Sequence, residues 1–177
     1  MDRRGVRLLV WVALAPSLLV DALYLGLIRG QDTFSPDIFV VPFVATYLLL
    51  MVGLLAASLP RTVSPLLRIA FRAAAAAGLI VLGVLAAFSI GIPILICGLF
   101  AAIAFALSID TARWRSSALA GGLAAVLAII VLLGGFDVVA RVIVCPATGE
   151  SGGSTVGFFT GSSHWTCMNG QLSWSSS

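Results

Sequence analysis

Residues 73–109 pass without a single charged side chain, a run of 37 residues. As one helix that run would be about 55 Å long, against a bilayer hydrocarbon core of about 30 Å. It must therefore fold back on itself inside a membrane. The segment Ser89-Ile90-Gly91-Ile92-Pro93, with its turn-forming residues, marks the expected fold-back point.

Composition agrees. The chain is 60% hydrophobic and 10% charged, with a mean hydropathy of +1.14, whereas soluble domains lie near 45–50% apolar and about 25% charged. A length of 177 residues then suits one bundle of spans. No polar stretch before Cys145 exceeds about a dozen residues, too few for a separate extramembrane domain. The expected organisation is an all-α transmembrane helical bundle over residues 1–144, followed by an extracytoplasmic tail over 145–177 that is rich in Gly, Ser and Thr.

Five spans are read, at about 6–28, 38–59, 66–89, 92–109 and 117–136, each mainly apolar and at least 18 residues long. All ten basic residues are Arg. With the abundance of Ala, Gly, Leu and Val, this usage points to GC-rich, bacterial coding. The net charge of +3 gives no reason to expect a nucleic-acid partner, because the arginines flank the apolar segments. Arg3, Arg4, Arg7, Arg61, Arg68, Arg72, Arg113 and Arg115 fall on one side of the five-span arrangement, and only Arg29 and Arg141 on the other. The positive-inside rule then puts the N-terminus in the cytoplasm of a plasma membrane and the C-terminus outside. Reading 73–109 as one long span would weaken that split and place both tail cysteines in the cytoplasm. The Ala13-Leu14-Ala15 run resembles a small-residue cleavage site, but the apolar stretch before it is too short for a signal peptide, and the first span is expected to be retained.

The tail holds Cys145 and Cys167, for which an outer, oxidising compartment permits a disulfide. Cys97 is a lone thiol within the fourth span and is expected to pack as a small apolar residue. Asn169-Gly170, between short runs, is a type I′ hairpin signal. A three-stranded meander is expected, with its first strand over 155–160 and with a Cys145–Cys167 bridge tying its middle strand to the end of the fifth span. The aromatic residues Phe158, Phe159, Trp165 and Trp174 supply either its core or a contact patch.

Within the spans, Asp21 is the residue of interest. An ionised carboxylate near a span centre costs about 2.5–3.5 kcal/mol on insertion scales. Ala13, Ser17 and Asp21 recur every four residues, with Tyr24 three further on, so the four share a helix face turned towards other helices. Asp21, Ser17 and Tyr24 form the candidate intramembrane polar site. One reading is a proton or cation site; the other is a structural carboxyl bonded to Thr46 or Tyr47. Pro16 should kink the first span and free the carbonyl of Val12. Ser64-Pro65 reads as the cap and first residue of the third helix, and Arg68 and Arg72 as side chains snorkelling to the headgroups. Asp137 and Arg141 are spaced for an ion pair at a helix end. Small residues at intervals of four, Gly98, Ala102 and Ala106 with Ala74, Gly78, Ala118 and Gly122, mark faces where helices can approach closely.

No Walker loop, HExxH or GxSxG occurs. The single His and the tail cysteines fall short of the three or four ligands of a zinc site. No catalytic residue, metal or cofactor is expected. The expected function is that of a small non-catalytic, multi-pass accessory or interaction subunit. Membrane lipids are its surroundings, and its contacts with another membrane protein, or with copies of itself, run through the small-residue faces or the outer tail. The alternative is a proton- or cation-coupled transporter or channel component using Asp21.

Overall fold

A computed structural model describes residues 3–29, 39–60, 62–87, 91–109 and 114–176. Five helices precede three strands: α1 (Arg3–Arg29), α2 (Val40–Ala57), α3 (Pro65–Leu85), α4 (Gly91–Ala106), α5 (Trp114–Val139), β1 (Glu150–Gly157), β2 (Gly161–Met168) and β3 (Gln171–Ser176). Segments of α1, α2, α3 and α5 are long and apolar enough to cross a membrane, while α4 is a shorter apolar helix of 16 residues. This is the make-up of a membrane-embedded protein by length and composition. Ser89 and Ile90 of the expected fold-back, together with Arg61 and Arg113, lie outside the described residues.

The chain divides into two compact units, Met1–Gly30 with Ala45–Leu132, and Gln31–Val44 with Leu133–Ser177. In the first unit α4 packs against both α1 and α3. The α3–α4 pair is an antiparallel hairpin whose register can be followed along its length. A Cβ added to Gly83 would lie 2.7 Å from the backbone nitrogen of Leu95, and one on Gly98 would lie 2.9 Å from that of Ile80. Further along, Arg72 reaches Ser108. Each step along α3 is thus matched by a step back along α4, so the chain does fold back after the Ala-rich stretch. Backbones come this close only where side chains are missing, which is how small residues substitute for a hydrophobic driving force between apolar helices. The buried face of α4 is Gly91, Ile94, Cys97, Gly98, Ala101 and Ala104. Of the expected stripe, Gly98 is buried but Ala102 is half-buried and Ala106 exposed. On α3, Ala74 and Gly78 are buried, and a Cβ on Gly78 would come within 2.5 Å of the Met51 sulfur and the Tyr47 hydroxyl. On α5, Gly121 lies against the Phe105 ring, while Gly122 is exposed with nothing within 4 Å of an added Cβ.

Local signals explain the helix ends. Ser64 caps α3, its Oγ accepting from the Leu67 amide at 3.4 Å, with Pro65 as first helical residue. The α1 helix is continuous through Pro16, and the neighbouring Ser17 hydroxyl donates to the Ala13 carbonyl at 2.7 Å. Trp11 and Trp114 are both exposed, as an aromatic belt requires.

In the second unit the edge of the Phe43 ring meets Phe136, with centroids 5.2 Å apart, and the same ring lies against Gly135. The strands form an antiparallel meander in the order β1-β2-β3. Asn169 and Gly170 both have positive φ, 50° and 81°, as a type I′ turn between β2 and β3 demands. The first strand differs from expectation. It occupies 150–157, and Phe158, Phe159 and Thr160 form the turn to β2. One glycine in this strand has a clear purpose: Gly153 pairs with Trp165, and a Cβ there would lie 2.9 Å from the indole ring. Trp165 lies over that gap and is only 5% exposed, so it belongs to the core of the sheet and not to a contact patch. Cys145 and Cys167 are bonded, with Cα atoms 5.5 Å apart, which ties the middle strand to the segment after α5. Cys97 is free and buried.

Candidate functional site

The α1 helix turns one stripe inward. Val6, Val10, Ala13, Leu14, Ser17 and Asp21 are buried, while Leu8, Trp11, Leu19 and Leu23 point out. The alternation follows the three- and four-residue spacing of a helix face. Asp21 and Ser17 therefore share the buried face, at 3% and 0% exposure, and Tyr24 is half-buried beyond them.

One oxygen of the Asp21 carboxyl stands apart there. Its Oδ1 is buried and accepts no hydrogen bond. The Tyr47 hydroxyl, read as a possible donor, gives its proton to the Ala128 carbonyl at 2.9 Å. Ser17 is likewise committed to Ala13. The stripe thus contains an acid oxygen without a donor, in a position where an orphaned acceptor costs about 1–3 kcal/mol.

A second polar group lies on α3 and was not recognised as a site from sequence. Arg72 is 7% exposed. Its Nε donates to the Ser58 hydroxyl at 3.3 Å, Nη2 to the Ser58 carbonyl at 3.4 Å, and Nη1 to the Ser108 hydroxyl at 2.5 Å. Ser58 in turn donates to the Leu55 carbonyl at 2.7 Å, and Ser108 to that of Ala104. One guanidinium therefore joins the C-terminal ends of α2 and α4 to α3. The expectation that Arg72 snorkels is corrected: its fork is consumed by Ser58 and Ser108, one and two residues past the ends of α2 and α4. Helix C-termini carry partial negative charge, which favours a cation placed there. Arg68 is half-buried, with an Nε that has no partner.

In the second unit Asp137 is 7% exposed near the end of α5. Its Oδ2 accepts the amide proton of Phe159 at 3.2 Å, and Oδ1 lies so close to Gly157 that an added Cβ would stand 2.5 Å from it. The side chain of Arg141, expected to pair with Asp137, is exposed. The carboxylate is used to hold the β1–β2 turn.

Among the described residues, no group of three or more His, Cys, Asp or Glu side chains could hold a metal ion. His164 is exposed on β2, and Cys167 is taken by the disulfide. Comparison with protein-family models, with curated proteins and with solved structures finds no match to this chain.

Proposed function

We propose that this chain is a small multi-pass protein of the plasma membrane, without catalytic chemistry of its own, that serves as an accessory or interaction subunit. Its N-terminus is cytoplasmic and its sheet lies outside, as the distribution of arginines favours. The α4 helix acts as a fifth, short crossing. At about 24 Å it falls below the core thickness, but its register against α3 is sustained from Gly83 to Arg72.

The observation that carries the reading is how the polar side chains of the helices are spent. Ser17, Ser58, Ser108, Tyr47 and Arg72 close hydrogen bonds onto helix backbones or each other, which builds a scaffold rather than a reaction centre. The part offered to a partner is the outer sheet. Leu172 and Trp174 are cross-strand neighbours of Cys167 and Trp165 and are 38% and 43% exposed on the free edge strand.

The test is purification of the full chain from its native membrane in a mild detergent, followed by identification of whatever co-purifies. A stable stoichiometric partner, lost with Trp174→Ala, supports the reading. A chain that purifies alone sinks it.

One observation favours a second reading. The unpartnered Oδ1 of Asp21 is what a proton- or cation-handling carboxylate in a span would present, and a homo-oligomer could complete a path past it. Proton or cation flux into liposomes holding the purified chain, abolished by Asp21→Asn, would establish that reading; a tight vesicle would exclude it.

A further inference from the structure

The turn between β1 and β2 is the most apolar exposed feature of the second unit. Val156 is 74% exposed, Phe158 54% and Phe159 66%. Such a cluster on a freely solvated hairpin tip would be out of place, because contiguous exposed apolar side chains mark contact surfaces. The question is what covers them.

The position of the turn answers it. The α5 helix has 26 residues, about 39 Å at 1.5 Å per residue, and so outreaches a hydrocarbon core of about 30 Å. On the spanning reading, that surplus lets its last turn emerge in the headgroup layer. Asp137 lies in that last turn, where a carboxylate escapes the cost of the bilayer centre. It holds the Phe159 amide at 3.2 Å, and Gly157 approaches it closely enough to exclude any side chain. The turn is thus fixed beside the last turn of α5. Val138, next to Asp137 in the last turn of α5, is 64% exposed, so apolar surface lies beside the turn. Arg141, exposed just beyond, is placed to meet headgroup phosphates.

We propose that the β1–β2 turn is a lipid anchor: Val156, Phe158 and Phe159 sit in the outer interfacial layer of the bilayer, held there by Asp137. This rests on the membrane-spanning reading of α5. Its consequence is that the sheet is fastened beside its own helix and presents the Leu172–Trp174 edge in one orientation.

The experiment uses the full chain in phosphatidylcholine–phosphatidylglycerol vesicles doped with a lipid that carries a photoreactive diazirine near its glycerol backbone. Adducts are mapped by mass spectrometry. Adducts on residues 156–159 as well as on the outward face of α5 are expected. In Asp137→Ala the turn adducts should be lost while those on α5 persist. Adducts on α5 with none on 156–159 in the unmodified chain would overturn the anchor and leave the spanning reading intact. Adducts on neither would overturn both. Equal turn labelling in Asp137→Ala would remove Asp137 from its role.

Discussion

Arg72 donates to Ser108 across 36 residues of sequence, at 2.5 Å, and the same guanidinium also grips Ser58. Among the described residues the partners of this buried cation are hydroxyls and a carbonyl. Removing a partner from a buried charge costs more than removing the charge with it. Ser108→Ala and Ser58→Ala should each lower stability in detergent by about 1.5–3 kcal/mol, while Arg72→Met should stay within about 1 kcal/mol of the parent. Arg72→Lys should resemble the serine variants, since an ammonium cannot reproduce the fork. Denaturant titration of the four variants gives the order, and a methionine variant weaker than both alanine variants would refute it.

Asp21 offers the opposite case. Because Oδ1 accepts nothing, Asp21→Asn breaks no bond at that oxygen and should insert and unfold like the parent. A loss above about 2 kcal/mol would mean that a hydrogen bond to the carboxylate holds the fold after all. The same variant, reconstituted, reads out the transport alternative independently of stability.

The glycines of α3, α4 and α5 should divide sharply. At Gly98 a methyl would meet the Ile80 backbone, so Gly98→Ala should force α3 and α4 apart and cost about 1–3 kcal/mol. At Gly122 there is open space, and Gly122→Ala should gain about 0.5–1 kcal/mol from helix propensity alone. Thermal unfolding of the two purified variants, moving in opposite directions, is the expected result.

The sheet depends on its bridge. Three short strands are marginal alone, and a disulfide enclosing 22 residues of separation contributes about 3 kcal/mol by restricting the unfolded chain. In Cys145→Ser with Cys167→Ser, limited proteolysis should cut within 146–170 while the helices stay protected. Cys97, buried in α4, should resist alkylation until the protein unfolds. Persistent protease resistance of the tail without the bridge would show that packing of Trp165 on Gly153 suffices.

Features that depend on neighbours in sequence were legible: the reversal after residue 85, the Ser64-Pro65 helix start, the Asn169-Gly170 turn and the buried stripe of Asp21, Ser17 and Ala13. Those that depend on distant partners were not. The fate of Arg72 is set by Ser58 and Ser108 on two other helices, and spacing along α3 carries no trace of them. Asp137 has Arg141 at the right interval, but its carboxylate goes to Phe159, 22 residues on. Phe158 and Phe159 have high strand propensity and were read as strand. The strand instead runs back through Gly152 and Gly153, because Trp165 needs that space. Cross-strand fit outweighs intrinsic preference here, as is usual in sheets.

The register between α3 and α4 also bears on how the chain is made. The third helix is the least apolar of the four long ones and carries Arg68 and Arg72, while the fourth is too short to be a confident crossing by itself. The fourth is therefore the weaker candidate for entering a bilayer alone. If α4 crosses as proposed, their matched backbones, with Gly83 on Leu95 and Gly98 on Ile80, should let the two go in together as one preformed hairpin. A nascent chain halted before residue 91 should therefore leave its third segment only loosely held, and synthesis of the next sixteen residues should lock both in place.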